Sequence, residues 1–167
     1  QMEYGYLVRN GSATNGAQFN SISNCKITLN RTNTGTRGIL QTASVTGGGF
    51  TPTSLLGSNA TNSYLNDTIN NSYTGIYFLG NATYPDATCS ISGCEIGANA
   101  GNDIGYGTAQ TWGIRVANQN GVIVDDNLVR NVTAGSTTDG IFLELGQGTC
   151  QISNNVVMAI RNSSATS

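Results

Sequence analysis

Two short apolar phrases alternate along this chain. One is a Gly followed by an apolar step: YGYLV (4–8), RGILQ (37–41), TGIYF (74–78), WGIRV (112–116) and DGIFL (139–143). The other runs from one apolar residue across a small polar break to a second: ISNCKI (22–27), YLNDTI (64–69), ISGCEI (91–96), VDDNLV (124–129) and ISNNVV (152–157). The order alternates strictly, and Gly5, Gly38, Gly75, Gly113 and Gly140 stand 33, 37, 38 and 27 residues apart. An interrupted period of this size is the mark of a stack of similar turns, each burying its apolar face on the next. Inside GIYF, GIRV and GIFLEL the apolar residues sit two apart with β-branched and aromatic enrichment, which predicts strands. Each repeat therefore reads as two or three short strands joined by turns.

Strand alternation divides the side chains into columns, one residue per repeat. The inward columns are Ile22, Tyr64, Ile91, Val124, Ile152; Ile27, Ile69, Ile96, Val129, Val157; Tyr6, Ile39, Ile76, Ile114, Ile141; and Val8, Gln41, Phe78, Val116, Leu143. Gln41 is the one polar residue among them. Between the two apolar positions of the second phrase lies a turn column of Cys25, Asp67, Cys94, Asn127 and Asn155.

The second phrase followed by Gly-Ile-x-apolar resembles the right-handed parallel β-helix repeat, a fold shared by pectate-lyase-like enzymes, phage tailspikes and many bacterial surface proteins. The resemblance spans residues 4–160. It implies an all-β, single-stranded right-handed parallel β-helix of about five coils with long loop insertions, forming one solenoid segment over residues 1–167. It also implies that the turn column carries a stacked ladder, because an Asn amide both donates and accepts between layers. Cys25, Asp67 and Cys94 interrupt that pattern.

Composition narrows the class. Gly, Asn, Thr and Ser make up nearly half of the residues, only 10% are charged and the net charge is −2. Lys26 and six scattered Arg do not form the basic patch that nucleic-acid binding requires. No apolar run is long enough to predict a membrane span, and no secretory signal is visible at the start of the printed chain. Asn-x-Ser/Thr sequons occur at Asn10, Asn30, Asn59, Asn66, Asn70, Asn81, Asn131 and Asn162, as often expected by chance in so Asn- and Thr-rich a chain.

The four cysteines fall into two columns. Cys89 and Cys150 share one with Val122 between them, and Cys25 and Cys94 share the turn column with Asp67 between them. Two layers of about 4.8 Å each exceed the roughly 7 Å reach of a disulfide. Four buried free thiols are expected, with a disulfide framework as the alternative.

Loop insertions are predicted near 42–61, 80–87 and 97–111. With no His in the chain, Ser-His-Asp and Cys-His sites are excluded here. The carboxylates Asp125, Asp126, Asp139, Glu144 and Asp103 are weak candidates for glycoside chemistry. In the resembled family, polygalacturonases carry Gly-His-Gly and Arg-x-Lys stretches, and pectate lyases use an Arg base beside calcium-binding Asp clusters. Neither signature stands here, although Arg115 and Arg130 can be nominated as bases. The resemblance thus leaves catalysis unsupported; no cofactor is expected, and calcium stands as an alternative that no motif supports.

The outward face of the Gly-Ile strands carries Leu7, Leu40, Tyr77, Arg115 and Phe142, and two residues on Arg9, Thr42, Leu79, Ala117 and Glu144. Such an apolar stripe is rarely left open on a soluble monomer. Tyr77, Arg115, Phe142, Glu144 and Trp112 are therefore candidate ligand residues, aromatics for stacking on sugars and Arg with Glu for hydroxyls. The competing expectation is that the long loops fold back over the stripe. No amphipathic capping helix is predicted, so the expected partners are other copies packed end to end or laterally, or the remainder of a longer chain, with glycans as candidate ligands. These features favour a non-catalytic, extracellular or cell-surface structural or adhesive segment of a surface protein or filament. A carbohydrate-binding or carbohydrate-cleaving β-helix stands second, and a phage or virus tail-type fibre third.

Overall fold

The computed structural model describes residues 3–99, 101 and 103–163. The protein is all-β, with three five-stranded parallel sheets, each taking one strand from each successive repeat. Sheet 1 contains the Gly-Ile strands Tyr4–Arg9, Arg37–Thr42, Thr74–Leu79, Thr111–Ala117 and Thr138–Glu144. Sheet 2 contains Ser21–Ser23, Ser63–Leu65, Ser90–Ser92, Ile123–Asp125 and Gln151–Ser153. Sheet 3 contains Lys26–Thr28, Thr68–Asn70, Glu95–Ile96, Leu128–Ala134 and Val156–Asn162. In every sheet the strands lie in chain order.

The register reproduces the columns read from the phrases. Tyr6, Ile39, Ile76, Ile114 and Ile141 pair in succession across sheet 1. Ile22, Tyr64, Ile91, Val124 and Ile152 do so in sheet 2, and Ile27, Ile69, Ile96, Val129 and Val157 in sheet 3. Side chains from all three sheets meet in one core cluster. Each aliphatic removed from water there contributes roughly 1.5–3 kcal/mol before entropy is counted.

The recurrent glycine of the first phrase has a steric cause. A Cβ on Gly75 would lie 2.3 Å from the carbonyl oxygen of Gly113 and 2.4 Å from Ile96 Cγ2. Gly38 meets Ile69 Cγ2 and the Gly75 carbonyl in the same way, and Gly113 meets Val129 and the Gly140 carbonyl. Sheet 3 presses its inward β-branched column onto the glycine column of sheet 1, and any side chain there would wedge them apart.

The corner between sheets 2 and 3 is two residues long in every repeat. Its first residue is left-handed throughout: Asn24, Asn66, Gly93, Asp126 and Asn154 have φ of 56°, 55°, 66°, 54° and 53°. The left-handed position thus lies one residue before the predicted ladder column, at residue types that tolerate it. The ladder itself is real but broken. Cys25 N donates to Asp67 Oδ1 at 2.9 Å, Cys94 N to Asn127 Oδ1 at 2.9 Å, and Asn127 N to Asn155 Oδ1 at 2.9 Å. The break falls between Asp67 and Cys94, because a thiol offers no amide oxygen to the layer before it.

Three expectations need correction. All four cysteines are free, but only Cys89 and Cys94 are buried; Cys25 and Cys150 are half-buried because they belong to the first and last repeats. The predicted loops contain structured residues. Gln18, Ala60, Ala87, Asn120 and Gln147 form a fourth parallel ladder, which includes the short strands Asp86–Ala87 and Gln119–Asn120. Within 97–111, Ile104 re-enters the core between Ser72 and Val132 and is fully buried. Finally, Leu40, Thr42 and Ala117 of the outward stripe are buried. Gly47 of the long 42–61 loop lies on Thr42, where a Cβ would approach Thr42 Oγ1 to 2.4 Å.

Candidate functional site

The strands of sheet 1 gather all five candidate ligand residues around Arg115. Neighbouring strands place Tyr77 beside Arg115 and Arg115 beside Phe142, and set Ala117 beside Glu144. The Arg115 guanidinium sits 4.3 Å from the Trp112 ring centroid and 4.8 Å from that of Tyr77, while Phe142 lies farther out at 6.0 Å. Tyr77 and Trp112 have centroids 6.1 Å apart at 32°. Arg115 Nε donates to Glu144 Oε2 at 3.1 Å, and Arg115 Nη2 forms the ion pair with the same oxygen. Burial raises the pKa of the Tyr77 hydroxyl, and the positive charges of Arg115 and Arg37 oppose the rise. Arg115 is thus held by two aromatic faces and one carboxylate, an arrangement that rigidifies the face.

Beside this knot lies a cleft of about 270 Å³ lined by Tyr4, Arg37, Leu40, Thr46, Gly47, Tyr77, Leu79, Trp112 and Arg115. Both expectations for the stripe apply in part. The 42–61 loop covers Leu40 and Thr42 and supplies Thr46 and Gly47 as one wall, while Tyr77 and Arg115 remain half-buried and reach the cleft. Glu144 braces Arg115, and neither it nor Phe142 lines the cleft. Sequence reasoning missed Arg37 and Tyr4. The signal was present: each stands immediately before the glycine of its phrase, and Tyr4 pairs with Arg37 in the register.

Of the two guanidinium groups lining the cleft, Arg37 is the one without a carboxylate bond. Its Nη1 donates to the carbonyls of Thr34 and Thr36 at 3.0 and 3.1 Å, and its guanidinium lies 5.9 Å from the Tyr73 ring. Burial lowers its pKa, with nearby groups including Glu3 acting in the opposite sense. Among the described residues the ion pairs are Arg115–Glu144 and Arg130–Glu95, so Arg37 has no salt-bridge partner there.

None of the weak catalytic candidates Asp125, Asp126 and Asp139 lines this cleft. Asp125 accepts from Ser153 Oγ at 2.6 Å and Asn154 Nδ2 at 3.0 Å on sheet 2. Asp126 is an exposed left-handed corner residue. Asp139 opens the last strand of sheet 1 and borders a depression formed with Ile152 and Val157. Asp103 is buried and staples its own loop, accepting from Asn71 N at 2.8 Å and Asn99 N at 3.1 Å. Arg130 pairs with Glu95 between neighbouring strands of sheet 3. No group of three or more His, Cys, Asp or Glu that could hold a metal ion occurs among the described residues, nor any helix long and apolar enough to cross a membrane.

A buried polar cluster accounts for Gln41. Its Nε2 donates to Asp86 Oδ2 at 2.8 Å, and its Oε1 accepts from Tyr64 OH at 2.8 Å and Asn62 Nδ2 at 3.1 Å. Asp86 also accepts from Asn59 N at 2.9 Å and Asn59 Nδ2 at 3.3 Å. Burial pushes the Asp86 carboxyl up to about 6, against the lowering effect of bonds from Gln41, Asn59 and Gln119. Cys89, beside it, is pushed up to about 11 by burial, so it stays a thiol. The missed signal is the repeated Asn/Asp-Ala-Thr at 59–61 and 86–88, which marks the fourth ladder. Against this architecture no protein-family model, no curated protein and no solved structure shows a match to the chain.

Proposed function

We propose that this chain is a right-handed parallel β-helix of five coils that serves as a non-catalytic, extracellular structural and adhesive segment, presenting the outward face of sheet 1 to glycans. The observation that carries the reading is the cleft beside the Tyr77–Trp112–Arg115 knot. An aromatic wall, two guanidinium groups and apolar Leu40 and Leu79 are fixed on paired strands rather than on free loops. Rigid amphipathic side chains of this kind bind the apolar faces and hydroxyls of sugars without ordering cost. A binding role is favoured over a hydrolytic one because none of Asp125, Asp126 and Asp139 lines the cleft, whereas glycoside cleavage needs two carboxylates flanking the scissile bond. The low charge and wealth of Asn, Thr and Gly suit an extracellular surface.

The test is a glycan array probed with the purified chain, alongside adhesion of chain-coated beads to glycan-coated surfaces. Binding is expected, with no release of reducing ends, and Tyr77→Ala should abolish it while leaving the fold intact. Silence across the array and unchanged bead retention for Tyr77→Ala would refute the recognition role.

A further inference from the structure

We propose that the cleft is an end-on site for a single six-membered sugar ring bearing one negative charge, with Arg37 as the anion receptor. The proposal rests on the glycan-recognition reading and sharpens it. Three features of the cleft carry it.

The first is shape. The 42–61 loop buries Leu40 and Thr42 and closes one side of the cleft with Thr46 and Gly47. A polymer running along the stripe would collide with that wall. The volume of about 270 Å³ lies just under the roughly 300–1,000 Å³ of pockets that hold drug-sized ligands. It suits one ring rather than several.

The second is charge. Arg115 spends Nε and Nη2 on Glu144, whereas Arg37 spends only Nη1, on two carbonyls. Arg9 adds a third cation at the loop, donating to the Gly48 carbonyl at 2.8 Å. The facing carboxylates are Glu144, already engaged, and the exposed Glu3. The neighbourhood is thus cationic in a chain whose net charge is −2. A partly buried guanidinium without a carboxylate partner favours an anion that completes the pair.

The third is the floor. Tyr77 offers ring surface beside that cation and Leu79 aliphatic contact, with the buried Trp112 and Leu40 packed beneath them. A pyranose can stack on them while its charged substituent reaches Arg37.

The probes are methyl β-glucuronide, methyl glucoside 6-sulfate and neutral methyl glucoside. Trp112, the single tryptophan, reports binding by fluorescence. At least one charged probe should bind at least tenfold more tightly than the neutral one, and the two charged probes distinguish a carboxylate from a sulfate ligand. Arg37→Gln should remove that preference with an unchanged unfolding transition, and salt should weaken binding of the charged probe. Equal binding of charged and neutral probes, or an Arg37→Gln protein that keeps the preference, overturns the anion site but leaves glycan recognition standing. Failure of all three probes at 10-fold the concentration that saturates any array hit also overturns it. A silent array removes the underlying reading as well.

Discussion

Asp86 makes the stability of this protein depend on pH in a direction opposite to that of most paired carboxylates. It is fully buried and its acid form is favoured by burial up to about 6, whereas an exposed Asp titrates near 3.9. The folded state therefore holds the proton more tightly than the unfolded chain. The contribution of this group is fully present below about pH 4, declines as pH climbs toward about 6, and is constant above that. Each decade of pH across that interval is worth about 1.4 kcal/mol, so the loss comes to about 3 kcal/mol. The opposing influence is the set of donors around the carboxylate: Gln41 Nε2 at 2.8 Å and Asn59 N at 2.9 Å favour the charged form. Urea unfolding followed by Trp112 fluorescence at several pH values between 4 and 7, on the wild type and on Asp86→Asn, isolates the group. Burial also raises the Asp67 pKa, but that residue is common to both proteins and cancels. The stability difference, wild type minus Asp86→Asn, should fall by about 3 kcal/mol from pH 4 to pH 6.5. A flat difference, or one that grows with pH, would mean that the donors outweigh burial and that the carboxylate is charged by design.

Other substitutions probe the stack directly. Gly75→Ala sets a Cβ against the Gly113 carbonyl and Ile96 at 2.3 and 2.4 Å; it should cost about 3 kcal/mol or more in denaturant unfolding, and a loss under 1 kcal/mol would show that the two columns are not in close contact. Asn127→Ala removes the acceptor for Cys94 N and the donor to Ile91 O; about 2–4 kcal/mol should disappear, read as a lower urea midpoint. Ile114→Asp buries a charge in a column without a partner and should unfold the adjoining repeats; a native circular dichroism spectrum and melting curve would contradict its inward placement.

Much of this architecture was legible because the apolar columns are set by period and backbone pairing. Ile39, Ile76 and Ile114 fall in register with no gap, and so do Ile69, Ile96 and Val129. What stayed hidden is set by contacts between segments of different length. The fourth ladder uses two-residue strands, too short to show alternation, so Asp86–Ala87 falls inside the predicted 80–87 loop and Gln119–Asn120 carries no strand signal. Gln41 looked anomalous because its partners Tyr64, Asn62 and Asp86 come from elsewhere in the chain. At the site, Tyr77, Trp112 and Arg115 were found from the outward column and the residue before a phrase glycine. Arg37 holds the same place before its phrase glycine as Trp112 does, but the wall that makes a cleft of its surroundings comes from Thr46 and Gly47 of the 42–61 loop, which the repeat pattern does not place. Leu40 failed as an exposed residue for the same reason.

The two-residue corner joining sheets 2 and 3 works as a gauge. The other corners differ in length from repeat to repeat: 42–61 and 80–87 are long between sheets 1 and 2, and 97–111 is long before sheet 1. The gauge keeps the same length at Asn24-Cys25, Asn66-Asp67, Gly93-Cys94, Asp126-Asn127 and Asn154-Asn155. One additional residue there would shift the phase of the next strand, turning Ile27, Ile69, Ile96, Val129 or Val157 toward solvent and a polar neighbour toward the glycine column. Grafted loops and new binding surfaces therefore belong at the permissive corners, where added chain leaves the phase of the following strand free to be restored.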